Sequence, residues 1–167
     1  MTPDAADVTL VRFPAAFLRD LVDGTAERPA EWHEQYATAG LRGIARMLLT
    51  AHEAMGVTAD EASPWWVSAI VVDGQVVGDA GFHGPPAGEP PVEVEIGYQL
   101  VPALRGRGLA TRACALLLEH AWAHGADVVR ADVEPDNPDR AASRAVLRAN
   151  GFAPTPQGDL AVAAPPA

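Results

Sequence analysis

Between Leu104 and Thr111 the chain reads Leu-Arg-Gly-Arg-Gly-Leu-Ala-Thr, placed between a strand-like and a helix-like pattern. Two glycines let backbone approach a ligand closely, and the open N–H groups of a helix start favour an anion. Arg105, Arg107 and Arg112 add local positive charge. A phosphate-bearing ligand is the natural inference; a turn with solvated arginines is the plain alternative. The dinucleotide fingerprint would need glycine where Thr111 stands, and the nucleotide P-loop would need Gly-Lys followed by Ser or Thr, so both fail.

Other groups could move protons. Glu93 and Glu95 share one strand face and could serve as a base through water, or could be solvated surface carboxylates. His83 ends a strand beside a proline-rich loop, where it could contact an acceptor or simply sit in the loop. Trp65 and Trp66 fall on opposite strand faces, so one can pack in the core while the other lines an acceptor site. Trp66, Tyr98 and His83 are therefore the candidate acceptor contacts. His120 and His124 are one helical turn apart, but no Glu follows His120 as a zinc-protease motif requires, and no metal site is expected. Cys114 reads as an ordinary helix residue.

The chain has 167 residues and a formal net charge of −10, with 49% hydrophobic and 20% charged residues. That composition suits one globular domain over residues 1–167 and argues against wholesale disorder. Such acidity is a poor match to polyanions, which excludes nucleic acid as an expected partner, and it suits amine-bearing ones. One cysteine cannot make an internal disulfide. The N-terminus lacks a basic start and an apolar run, and no stretch reaches the ~20 apolar residues of a membrane span. A cytoplasmic protein with no membrane partner is the expectation; a homodimer is left open.

These groups need elements to position them. Val8–Phe13 reads as a strand and Ala15–Asp23 as a helix stopped by Gly24. Glu31–Met55 reads as a helical region that Gly40 and Gly43 should break. Trp65–Val72 and Gln75–Phe82 flank Asp73-Gly74, a strong hairpin signal. Residues 84–91 form a Pro/Gly loop. Val92–Leu100 alternates again, Gly108–Ala123 is helical, Val128–Val133 is a strand and Arg140–Asn150 is a helix closed by Gly151. Residues 154–167 offer short strand pieces and a Pro/Ala-rich tail. The order predicts an α+β fold: a mixed, mostly antiparallel sheet with one central strand–helix–strand crossover.

Arg105-x-x-Gly108-x-Ala110, preceded by Ile96-Gly97-Tyr98-Gln99-Leu100-Val101-Pro102, resembles the acyl-coenzyme-A signature of the GNAT acetyltransferases. Glu134-Pro135-Asp136-Asn137, Ser143, Val146, Leu147, Gly151 and Phe152 are similar to that superfamily's second motif. Glu95-Ile96-Gly97-Tyr98 and the Gly-Phe ending are most similar to the branch that acetylates ribosomal-protein N-termini. The resemblance spans about residues 65 to 153.

What the resemblance implies is an N-acetyltransferase that moves an acetyl group from acetyl-CoA to a primary amine by direct attack. Two parallel strands would splay, with the pantetheine arm pairing near Leu100 and Val101. The pyrophosphate would meet the amides of Arg105, Gly106, Arg107, Gly108, Leu109 and Ala110. Ser143 would hydrogen-bond the sulfur or pantetheine, with Asn137 beside it. Glu95, and after it Glu93, would be the base. The chain departs from the pattern at Leu147, where many members have a tyrosine acid. It departs again at Asn137, which stands six residues before Ser143 instead of three. A coenzyme-A-binding module without turnover is the second reading, and a nucleotide-binding domain of another type the third.

Overall fold

The computed structural model describes residues 7–166. Residues 1–6, read above for a leader, and the last residue of the tail lie outside the described residues. Its centre is a seven-stranded sheet in the order β1-β2-β3-β4-β5-β7-β6. The strands are β1 Thr9–Arg12, β2 Val67–Val72, β3 Gln75–Phe82, β4 Glu93–Leu100, β5 Val128–Ala131, β6 Ala153–Pro154 and β7 Leu160–Ala163. Every neighbouring pair is antiparallel except β4 and β5, which are parallel. The helices are α1 Ala15–Asp23, α2 Thr38–Ala54, α3 Leu109–Ala123 and α4 Arg140–Ala149. The crossover β4–α3–β5 is the predicted strand–helix–strand unit, and the mixed sheet is the predicted α+β fold.

Local chemistry explains the boundaries. Asp73 and Gly74 take φ of 50° and 75°, the two positive values of a type I′ hairpin turn, and they join Val72 to Gln75. Gly24 ends α1 in the left-handed region at φ 80°. No side chain of its own caps the start of α1; Glu61 supplies the acceptor, taking the Ala15 N–H at 2.9 Å.

The second helix begins later than the sequence predicts and runs unbroken through both glycines. Trp32 and Tyr36 have helical spacing but lie ahead of α2, where Trp32 bridges to Val76 and packs edge-on or tilted against Phe13, Phe17 and Tyr36. At Gly40 the missing side chain has a use: a Cβ there would sit 2.8 Å from both amide atoms of Gln99. The buried stripe Leu41, Ala45, Leu48 and His52 faces the sheet at helical spacing.

Two helical layers follow from strand alternation. Gln99 meets α2, whereas its neighbour Tyr98 points to the opposite face and donates its hydroxyl to the Ser143 carbonyl on α4 at 3.0 Å. Helix α3 packs against α4, and the Asn150 amide donates to the Thr111 carbonyl at 3.2 Å. Thus α1 and α2 cover one face, and α3 and α4 the other.

Candidate active site

Strands β4 and β5 pair only through Glu93–Val128, Val94–Val129 and Glu95–Arg130. Beyond Glu95, β4 continues to Leu100 with no partner on that side, so the sheet forks. Alternation fixes which backbone groups face the fork. The Val101 N–H reaches the Val77 carbonyl and the His83 N–H reaches the Glu95 carbonyl, each at 2.9 Å. Glu95, Gly97, Gln99 and Val101 therefore turn their peptide groups to β3, and Ile96, Tyr98 and Leu100 turn theirs to the gap.

A cleft of about 540 Å³ opens in this fork, walled by Tyr98–Leu100, by Arg105, Gly106 and Gly108–Thr111, and by Asn137, Asp139, Ser143 and Val146 of the α4 wall. Gly106 and Gly108 hold φ of 71° and 77°, left-handed values that bend the turn and aim the start of α3 at the cleft. No side chain caps α3, so its first amides, from Leu109 onward, stay open for a ligand anion. The Arg105 guanidinium lies at the cleft wall, 2.8 Å from the Asp139 carboxylate, and its Nε donates to the Leu100 carbonyl at 3.2 Å.

The residues expected to hold the ligand mostly converge there: Leu100, Arg105, Gly106, Gly108, Leu109, Ala110, Asn137 and Ser143 all line the cleft. Val101 and Arg107 do not. The Val101 peptide is spent on β3 and its side chain is buried, while Arg107 is exposed and reaches back to the Ala103 carbonyl. Asn137 lines the cleft, but its side-chain oxygen accepts the Asp139 N–H at 2.8 Å and turns the chain into α4. Leu147 is buried in the core.

The opposite face of β4 carries the ionisable groups. His83 Nδ1 lies 3.1 Å from Glu95 Oε1. Glu93 is held instead by Arg130, at 2.7 Å to Nε and 3.2 Å to Nη2, and the same guanidinium reaches Asp159 at 3.1 Å. That hydrogen bonding keeps the Glu93 carboxyl below its ordinary range, so Glu93 is an occupied anion and a poor base. Trp66 does not reach this face: it is buried, and its Nε1 donates to the Phe13 carbonyl at 2.8 Å. Trp65 is buried too, so neither tryptophan lines the cleft.

Sequence reasoning missed a buried network under the cleft. Asp79 of β3 is 3% exposed; it accepts the Tyr36 hydroxyl at 2.6 Å and the Gln99 amide. Burial pushes its carboxyl up to about 6, against the pull of those two donors. The signal was an acid inside the apolar run Val76–Phe82. Cys114 is buried in α3, and burial pushes its thiol up to about 12. His120 Nε2 donates to the Pro64 carbonyl at 2.7 Å, and no group of three metal-binding side chains occurs among the described residues. Among them, too, no helix is long and apolar enough to cross a membrane.

Comparison with known folds places this geometry. The yncA structure from Salmonella typhimurium, solved with its cofactor acetyl-CoA, superposes with a TM-score of 0.56 at 20% identity, covering 94% of each chain. Mycobacterium smegmatis RimJ, in complex with CoA-disulfide, gives 0.56 at 24% identity over 98% of this chain and 90% of that one. The ribosomal-protein-S5-alanine acetyltransferase of Vibrio fischeri gives 0.59 at 15%, over 94% and 93%. Comparison with curated proteins returns no match. The family described as acetyltransferase (GNAT) domain matches residues 45–153, which contain β4, the glycine turn, α3 and α4. With its forked sheet and open-ended α3, the chain belongs to the GNAT acetyltransferases.

Proposed function

We propose that the protein is an N-acetyltransferase that moves the acetyl group of acetyl-CoA to a primary amine. The observation that carries this reading is the fork: uncapped α3 amides, bent into place by Gly106 and Gly108, lie in one cleft with the unpaired β4 backbone. A pyrophosphate suits the amides of Gly108–Ala110 together with Arg105. A pantetheine arm, which carries amides, suits the peptide groups that Tyr98 and Leu100 turn to the gap. Acetyl-CoA supplies an activated thioester; the residues here orient it and manage protons.

Ser143 on α4 lines the cleft, and its hydroxyl is the donor this reading assigns to the sulfur. The amine approaches from the α2 face, where Glu95 makes the surroundings anionic, and its proton leaves on that side. Arg130 neutralises only part of the charge of Glu93 and Asp159 beside it, which favours a cationic acceptor.

The buried Leu147, standing where many members carry a tyrosine acid, favours a second reading: a coenzyme-A-binding module without turnover. One experiment separates them. Thiol release from acetyl-CoA is followed with a tripeptide bearing a free N-terminus, a lysine ester, spermidine and kanamycin, alongside calorimetric titration of coenzyme A. Amine-dependent release supports the enzyme; coenzyme-A binding with no release for any amine supports the module. No binding overturns both.

A further inference from the structure

We infer that His83 Nε2 takes the proton of the attacking amine, with Glu95 as the positioning residue that orients the imidazole. This rests on the acetyl-transfer reading and assigns the proton to one atom.

The backbone sets the pair first. His83 is the residue after β3, and its N–H donates to the Glu95 carbonyl at 2.9 Å, which brings the two side chains onto one face. His83 Nδ1 then lies 3.1 Å from Glu95 Oε1. The carboxylate beside Nδ1 only accepts and so favours the tautomer with the hydrogen on Nδ1, which leaves the neutral ring's lone pair on Nε2.

Gly97 shows where Nε2 points. A Cβ on Gly97 would lie 2.6 Å from His83 Nε2, so any other residue there would push the imidazole out of this position. The backbone of Gly97 is not in the left-handed region, so its conformation does not call for glycine. A mid-strand glycine weakens a strand, and it often marks a close approach. Here the imidazole makes that approach. Gly97 is also the second residue past the last β4–β5 pair, so Nε2 sits over the point where the sheet forks.

Glu95 by itself is a weaker candidate. Its Oε1 is engaged by His83, whereas the imidazole offers a second nitrogen that can take a proton and pass it on. The neighbouring charges Arg130, Glu93 and Asp159 are closed on one another. In the step itself, the amine nitrogen forms a bond to the acetyl carbonyl carbon. The C–S bond breaks with its electron pair left on sulfur, and the nitrogen's proton passes to His83 Nε2. The imidazolium, held by Glu95, returns that proton through solvent to the thiolate, giving amide and free thiol.

The test has an arm that needs no turnover. Nitrogen–proton correlation spectra of the protein alone should show His83 as the Nδ1–H tautomer, and Glu95→Gln should mix the two tautomers. With acetyl-CoA and whichever of the four amines reacts, His83→Ala should lower kcat by about 10²-fold or more. Coenzyme-A affinity should stay within about twofold, and added imidazole should restore part of the rate. Glu95→Gln should lower kcat by about tenfold with KM for acetyl-CoA unchanged, as expected of a group acting through another. His83→Gln should lose kcat while melting as the wild type does, which separates chemistry from packing. Full kcat in His83→Ala, or an Nε2–H tautomer in the wild type, overturns the inference and leaves acetyl transfer standing. Silence with every amine overturns the acetyl-transfer reading and the inference together.

Discussion

Replacing Asp79 with asparagine isolates what one buried charge does to this fold. The wild-type carboxyl sits under the cleft with two donors, Tyr36 and Gln99, and burial lifts it from 3.8 to about 6. Because the folded value is the higher one, the native state binds a proton more tightly than the unfolded chain does. The associated stability is complete below pH 3.8 and is lost as pH rises through about 6. The whole effect is about 3 kcal/mol, most of which, about 2 kcal/mol, falls between pH 4 and pH 8. The substituted carboxamide does not ionise, yet its carbonyl accepts the Tyr36 hydroxyl and its amide meets Gln99 Oε1 once the Gln99 carboxamide turns over. Urea unfolding of wild type and Asp79→Asn, followed by tryptophan fluorescence at steps from pH 4 to pH 8, gives the stability difference at each pH. The wild type should lose about 2 kcal/mol relative to the variant over that range, most of it below pH 6, with a plateau above pH 7. A difference that stays level within about 0.5 kcal/mol across the range would refute the argument that Asp79 is a strained buried anion.

Three further outcomes are expected. Gly108→Glu places a side chain at φ 77° and, at the α3 amides, a negative charge like that of the pyrophosphate; it should cost about 1–2 kcal/mol of stability and abolish coenzyme-A binding in calorimetry. Arg130→Ala removes the cation between Glu93 and Asp159 and should destabilise by about 1 kcal/mol at low salt, a loss that shrinks in 1 M NaCl, read by thermal melting. Cys114, buried with its thiol pushed up to about 12, should react with a thiol reagent at pH 8 only at the rate of unfolding.

The parts readable from sequence were those set by short-range rules. The Asp73-Gly74 turn, the period-two pattern of β4 and the glycine turn before α3 each depend on a few adjacent residues, and each is found where the pattern puts it. The α2 start was misread because Trp32 and Tyr36 share helical spacing while their rings serve an aromatic cluster with Phe13 and Phe17. Gly40 looked like a breaker because its use lies across the molecule, at Gln99. The same holds in the site. Arg105 and Gly108 were visible as a motif, whereas the pairings Glu93–Arg130, His83–Glu95 and Arg105–Asp139 need the register of β4 with β5 and β3 and the return of α4. Trp66 could not be assigned to a face before its indole was seen to reach the Phe13 carbonyl.

The ladder that joins the four strands β1–β4 to the three strands β5, β7 and β6 is three residue pairs long, with Val92 and Asp127 bonded at its near end. The sheet is in effect two rafts moored at one end, with α4 leaning across the open water between them. A molecule lodged in the fork would act as a surrogate strand, completing the Tyr98 peptide group and the Leu100 N–H and bracing the α4 wall. Occupancy and stiffness then become the same property, and the protein should loosen first along this seam when empty. Amides of Val128–Ala131 and Leu160–Ala163 should exchange with deuterium ahead of those shared by β2 and β3, and slow together once coenzyme A is added.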